Sequence, residues 1–383
     1  MRVGIDLEQF ARDPYGSGIQ RVLQYLAHEW PSEEIEADFI FPDRGLYALL
    51  TPAQAFGILS IPFAVQPHDS DLRELVREGI AQMSAPRVRE ADLLSFYTSW
   101  LLPEVSYSPE VLNRFRIFNA SMITVMIGFD ALPMTEPRNY RFPPGMAPYV
   151  SDYFRQLAVA DRVICISDHA RDEMWSALRR PMNLTTEVAH PGGDHINFES
   201  AVNNQSQPKS PVKKFIRLGT LEARKMPVEI LNAFLEARPT QAELVFIGGA
   251  SSSDESINSV VRDAVDNNES VTWIQGASDE EVREAIASAD AFLAIGTEGF
   301  GIPVLEAIAL GTPVLYSGVQ PAAEIMLSKG ATQLPGHSHG ELVEMFTNYS
   351  RPDVLSELAR EIDLSRLPQW KQFVGVVARM CKS

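Results

Sequence analysis

Short apolar runs of strand length alternate with stretches of helical periodicity along most of the 383 residues, and this alternation constrains the fold more than any other feature. It calls for parallel strands joined by crossover helices, with sheets covered on both faces. In the first half the clearest predicted strands are 2–6, 37–41, 122–128 and 162–167. In the second half they are 215–219, 243–249, 271–276, 291–296 and 313–317. A stretch rich in Asn, Gln, Ser and Pro, 200–213, divides the halves and reads as a linker. The length suits two domains, 1–200 and 209–360, each with its own core. Residues 43–103 are less regular, with apolar and Arg-rich stretches that set no clear boundaries.

One segment carries most of the chemistry. Glu298 and Glu306 flank Gly299, Phe300, Gly301, Ile302 and Pro303, a glycine turn that opens a helix. Pro303 suits the first turn, where a missing N–H costs nothing, and Gly311 with Pro313 suits the stop. Glu298 then sits in the loop before the helix, and Glu306 within or just after its first turn. The helix start carries partial positive charge and favours phosphate. The carboxylates beside it are poor phosphate ligands but good acceptors for hydroxyls. The ligand implied is phosphorylated and rich in hydroxyls, as a sugar nucleotide is. A plain buried helix with glycine caps would explain the glycines but leave the charge of Glu306 uncompensated.

A second segment, 215–225, ends a strand at Gly219 and then presents Arg224 and Lys225. In open α/β sheets ligands bind beyond the carboxyl ends of strands, and these two cations suit a diphosphate. Gly16, Ser17 and Gly18 form a glycine turn after the first strand, leading into a helix over 19–30. Asp130 follows the strand 122–128 and is either an active-site carboxylate or a turn former. His190, Pro191, Gly192, Gly193 and Asp194 read as a structural turn. Asp69, Ser70 and Asp71 have the spacing of a chelating pair, but fit better as a cap for a helix beginning near Leu72. Asp168 and His169 read as a helix start, and Ser278 with Glu281 as a capping box.

Composition removes several classes of function. The formal net charge of −17 argues against nucleic-acid binding and against docking of the whole surface to anionic lipid. A local basic patch would still allow peripheral membrane contact. The two cysteines, Cys165 and Cys381, form no disulfide framework and no metal-binding spacing, which fits a reducing compartment. The chain opens on a strand with no apolar signal core, and no apolar run is long enough to span a bilayer. A cytoplasmic location is expected.

Five segments taken in order resemble the retaining nucleotide-sugar glycosyltransferases of family 4. They are 16–22, 160–167, 219–225, 276–281 and 298–306. The resemblance implies a GT-B architecture, two Rossmann-like doubly wound parallel-sheet domains facing a cleft, with 361–383 crossing back to the first domain. It implies that Glu306 holds ribose hydroxyls and that Glu298 contacts the transferred sugar. Arg224 and Lys225 would neutralise the leaving diphosphate. The amides of Gly299, Phe300, Gly301 and Ile302 would meet sugar or phosphate oxygens, and the backbone of Gln275, Gly276 and Ala277 would face the base. Gly219, Gly16 and Gly18 would border the donor, and Asp130 would join the catalytic groups. The donor would be GDP-mannose, a UDP-sugar or a dTDP-sugar. The acceptor would be a glycan or a lipid-linked molecule in surface polysaccharide or glycoconjugate assembly. Neither a metal nor an organic cofactor is implied. Two positions depart from the pattern: Phe129 stands where the family often has His, and Ala294-Ile295 where Pro-Ser is usual. A catalytically silent donor-binding subunit and a sugar-nucleotide epimerase are the alternatives.

Overall fold

The computed structural model describes residues 1–32, 34–64, 71–140, 142, 145–178, 184–196 and 212–382. The chain separates into two compact units. Unit 1 is Met1–Pro137, Phe142–Pro191 and Gln369–Ser383; unit 2 is Arg138–Arg141 and Gly192–Pro368. The division therefore falls between Pro191 and Gly192 rather than within 200–209, and the segment belonging to unit 1 begins at Gln369 rather than at 361. One reason is local. The Gly193 amide donates to the Pro368 carbonyl at 2.9 Å, so both ends of unit 2 are fastened to each other. Most of the linker stretch lies outside the described residues.

Unit 1 holds, among its described residues, strands β1 Arg2–Asp6, β2 Glu36–Asp43, β3 Leu46–Leu50, β4 Arg87–Val88, β5 Ser99–Leu102, β6 Ile123–Gly128, β7 Arg162–Cys165 and β8 Thr185–Val188. They form one sheet in the order β4-β3-β2-β1-β5-β6-β7-β8. From β2 to β8 the pairings are parallel, but β3 runs antiparallel to β2 and β4 antiparallel to β3. The sheet is thus mixed at one edge. Within 43–103, among the described residues, β3 and β4 supply that edge and β5 an inner strand. β4, with two residues, is too short to show a period. Trp100 is wholly buried and meets Phe118 edge-on at 4.6 Å, and Tyr97 is buried too. Both are core residues.

Buried charge also holds unit 1 together. Arg114 is almost inaccessible, and its guanidinium forks onto both oxygens of Asp6 while Nη1 lies 2.8 Å from Glu8. Burial pushes the Asp6 carboxyl up against the pull of Arg114. The helix Trp370–Met380 packs Trp370, Phe373, Val374 and Val377 into the core, with Val376 only half-buried. The Trp370 ring stacks on Tyr25 at 4.8 Å, and Arg162 donates to the Met380 carbonyl. Asp71 caps the helix Leu72–Gln82 through the amides of Arg73 and Glu74; Asp69 and Ser70 lie outside the described residues.

Unit 2 holds β9 Lys213–Leu218, β10 Ala242–Ile247, β11 Val271–Ile274, β12 Ala291–Thr297, β13 Val314–Val319 and β14 Ala331–Gln333. All their pairings are parallel, in the order β11-β10-β9-β12-β13-β14. β12 is buried on both faces through Gly296, as an inner parallel strand must be. Phe215, Phe234 and Phe346 meet edge-on beneath the sheet. The capping box of Ser278 and Glu281 opens the helix Asp279–Ser288. No helix among the described residues is long and apolar enough to cross a membrane.

Candidate functional site

The strand order of unit 2 runs outward from β9 through β10 to β11, then restarts at β12 on the other side of β9 and runs through β13 to β14. Loops leaving β9 and β12 therefore diverge to opposite faces. They leave a crevice at the carboxyl ends of these strands, where open α/β sheets bind ligands. Two of the segments singled out in the sequence meet there.

After β9 the chain turns at Gly219 and forms a short 3-10 turn, Ala223–Lys225. Met226 then takes a left-handed conformation, and Pro227 opens the helix Pro227–Ala237. This brings two cations over the end of β12. Arg224 Nη1 donates to the Thr297 carbonyl at 2.6 Å and to Glu298 Oε2 at 2.8 Å, and Nη2 pairs with Glu222 at 2.7 Å. Lys225 Nζ lies 3.2 Å from Glu298 Oε1, and Arg217 reaches within 3.9 Å of the same oxygen from inside β9. Arg224 Nε is buried with no acceptor among the described residues.

The backbone beneath is packed to its limit. Gly296 sits at φ +98°, and a Cβ there would fall 2.0 Å from the Arg224 carbonyl oxygen. Only glycine lets the Arg224 turn lie on β12 at this distance. Gly318 repeats the device one strand on, since its Cβ would fall 2.3 Å from the Gly296 oxygen.

The charges are strongly coupled. Burial acts to raise the Glu298 carboxyl, but Lys225, Arg224 and Arg217 outweigh it and hold the group at about 2. Burial lowers the Lys225 ammonium more than Glu298 raises it. Glu298 is thus ionised under ordinary conditions and fixes the cations beside it.

The helix Ile302–Ala309 begins as the sequence indicates, with Gly301 as a left-handed N-cap, Pro303 in the first turn and Gly311 left-handed beyond the end. Gly299, Phe300, Gly301 and Ile302 form its entry, and the Phe300 carbonyl accepts from the Ala322 amide. Glu306 lies just after the first turn. Its Oε1 is 2.8 Å from Nε2 of His195, whose side chain is buried. The turn His190–Asp194 was readable only as structural; the residue after it reaches the functional helix. Gln275 is exposed at the end of edge strand β11, Gly276 is left-handed, and Ala277 is half-buried before the capping box.

Gly16, Gly18 and Asp130 belong to unit 1. Gly16 is left-handed, and Ser17 caps the helix Gly18–His28 by accepting from the Gln20 amide. Asp130 Oδ1 accepts from the Leu132 amide at 3.1 Å, the geometry of a turn former, and Phe129 is buried. The strand order of unit 1 also reverses, between β1 and β5. Glu104, which follows β5, is buried there with Oε1 3.3 Å from Gln20 Nε2 and with Oε2 lacking a partner among the described residues. Burial pushes its carboxyl up to about 8. Asp130 is legible because the strand before it is; Glu104 is not, because the short strand β5 that precedes it shows no period in the sequence. Among the described residues, no group of three or more His, Cys, Asp or Glu is arranged to hold a metal ion.

Residues 199–346 match the family model of Glycosyl transferases group 1, which supports a glycosyltransferase. The serotype-specific mannosyltransferase WbdA of Escherichia coli is 29% identical over 185 residues, which are 43% of this chain and 22% of the relative. The chain thus matches about a fifth of the length of these curated relatives. Anabaena Alr3699/HepE in complex with UDP superposes with a TM-score of 0.64 at 14% identity, over 99% of this chain and 98% of that one. Sucrose-phosphate synthase from Thermosynechococcus elongatus gives 0.66 at 13% identity, over 99% and 98%. These likenesses establish the fold, a two-domain Rossmann-like architecture of the GT-B type.

Proposed function

We propose that this chain is a retaining glycosyltransferase that moves a sugar from a nucleotide-diphosphate donor to a hydroxyl of a glycan or lipid-linked acceptor, in surface polysaccharide or glycoconjugate assembly. One observation carries the reading. Arg224 and Lys225 converge on Glu298 where the strand order of unit 2 reverses, and the buried Arg224 Nε has no acceptor among the described residues. A diphosphate oxygen answers both the charge and the empty donor. The family match covers this segment. The mannosyltransferase relative favours GDP-mannose as donor, and the UDP complex of HepE keeps UDP-sugars in contention.

In this reading the diphosphate lies against Arg224 and Lys225. As the bond from the anomeric carbon to the diphosphate oxygen breaks, negative charge grows on the leaving phosphate, and the fixed cations stabilise it. They supply the positive charge that a divalent ion would otherwise bring. Glu298 holds them in place and accepts a hydroxyl of the transferred sugar. Glu306 accepts from ribose hydroxyls, the Gly299–Ile302 backbone meets sugar or phosphate oxygens, and Gln275–Ala277 face the base. The leaving diphosphate takes the proton of the acceptor hydroxyl. Retention then needs no second carboxylate across the scissile bond.

The test is a panel of GDP-mannose, UDP-glucose and dTDP-glucose against the purified chain, read by melting temperature and by release of free sugar. One donor should raise Tm, because it binds only the folded state, and should be hydrolysed slowly with its anomeric configuration kept. If no member of the panel binds, the reading fails. Binding without hydrolysis or transfer to any acceptor would mark a silent donor-binding subunit.

A further inference from the structure

We infer that His195 is a positioning residue for ribose recognition, orienting the carboxylate of Glu306 from a second segment of unit 2. This rests on the proposed ribose role of Glu306.

The geometry is specific. A glutamate on an exposed helix start has three side-chain torsions and populates many rotamers. Here Glu306 retains only a little solvent contact, and His195 Nε2 donates to its Oε1 at 2.8 Å from a nearly inaccessible ring. A charge-assisted hydrogen bond to a buried partner selects one rotamer and keeps it. His195 is itself held by its own segment. Two residues earlier, Gly193 is pressed so close to the functional helix that a Cβ would fall 2.6 Å from the Leu305 Cβ and 3.0 Å from Leu367 Cδ1. Its amide is tied to the Pro368 carbonyl. The segment therefore docks on the residue adjoining Glu306 and delivers the imidazole to a fixed point. Such a partner, which touches a ligating side chain rather than the ligand, commonly determines how well that side chain works.

A vicinal diol is recognised by a carboxylate only when both its hydroxyls can donate to suitably placed oxygens. A wandering carboxylate loses that selectivity before it loses general affinity for the nucleotide, because diphosphate contacts are made elsewhere. The readout is therefore a ratio: the affinity for a ribonucleoside diphosphate over that for its 2′,3′-dideoxy analogue. It is measured by calorimetry with GDP and UDP on the intact chain.

Wild type should prefer the ribonucleotide by tenfold or more. His195→Ala should reduce that preference at least fivefold while changing dideoxynucleotide affinity by less than twofold. His195→Gln, which keeps an N–H of similar reach, should retain most of it. Combining His195→Ala with Glu306→Gln should be no worse than Glu306→Gln alone, since both act on the same ribose recognition by residue 306. Where His195→Ala does not fold, His195→Asn reads the same loss, because its amide is too short to reach Oε1. An unchanged ratio in these variants, with Glu306→Gln losing it, overturns the role of His195 alone. An equal loss of both nucleotides means that His195 is merely structural. A wild type without preference, or a Glu306→Gln variant that keeps it, overturns the ribose role of Glu306 and this inference with it.

Discussion

Arg224 Nη1 lies 2.8 Å from Glu298 Oε2, an ion pair that ties the loop after β9 to the loop after β12. Lys225 and Arg217 share the second oxygen of the same carboxylate. With Glu222 pairing to Arg224 as well, two anions face three cations, and the cluster keeps a net positive charge that suits an anionic ligand.

Glu298→Gln should destabilise unit 2 by about 2–4 kcal/mol, near the cost of breaking a buried ion pair but reduced because Glu298 keeps some solvent contact. Inorganic pyrophosphate should raise Tm more in the variant than in wild type, because it replaces the missing negative charge. The pH dependence has a definite sign. The folded carboxyl sits at about 2 against an ordinary 4.5, so its contribution is complete above 4.5 and is lost as pH falls toward 2. A variant as stable as wild type at pH 7 would refute the coupling.

Changing Arg224 and Lys225 together to Ala should lower turnover by a factor on the order of 10²–10³, the usual scale for removing transition-state charge stabilisation. Binding of a nucleoside monophosphate should change far less, since it lacks the distal phosphate. Near-normal turnover at saturating donor would remove both residues from the mechanism.

Glu306→Gln is nearly isosteric and should leave Tm within a degree or two. Loss of a charged acceptor for ribose hydroxyls should weaken donor binding by about 1.5–3 kcal/mol. Calorimetry that finds unchanged affinity would rule out the role.

Glu104→Gln should change how stability varies with pH. The folded carboxyl is raised to about 8 by burial, above its ordinary 4.5, so the folded state holds a proton that the unfolded state releases. Wild-type stability should therefore decline as pH rises from about 4.5 to 8, and the variant should lack that part of the decline. Urea melts at pH 5, 6.5 and 8 read it directly. Parallel slopes for the two proteins would show that Glu104 does not titrate in this range.

The second half was the more legible. Most of its strands stand as apolar runs between turn signals, β14 with three residues excepted, and its caps are chemically explicit. Pro303, Gly301 and Gly311 mark the helix that carries Glu306, and Ser278 with Glu281 marks another. The first half hid β3, β4, β5 and β8; β4, with two residues, cannot display a pattern. The groups that meet only through tertiary structure were also invisible. His195 lies far along the chain from Glu306, and Arg114 is remote from Asp6, so neither pair leaves a local trace. Asp130 could be read two ways, and the bond to the Leu132 amide shows its turn-forming side.

Unit 1 is closed by the helix Trp370–Met380, which lies beyond nearly all of unit 2 in the chain. A ribosome must therefore deliver Gly192–Pro368 before Tyr25 can stack on Trp370 or Arg162 can reach the Met380 carbonyl. At ~5–20 residues per second, the nascent chain carries an unfinished apolar seam for roughly ten to thirty-five seconds. Unit 2, almost continuous in the chain, can complete its own core within that interval. The domain synthesised first is thus the domain finished last, and chaperone demand during synthesis should centre on the seam around Tyr25 rather than on unit 2.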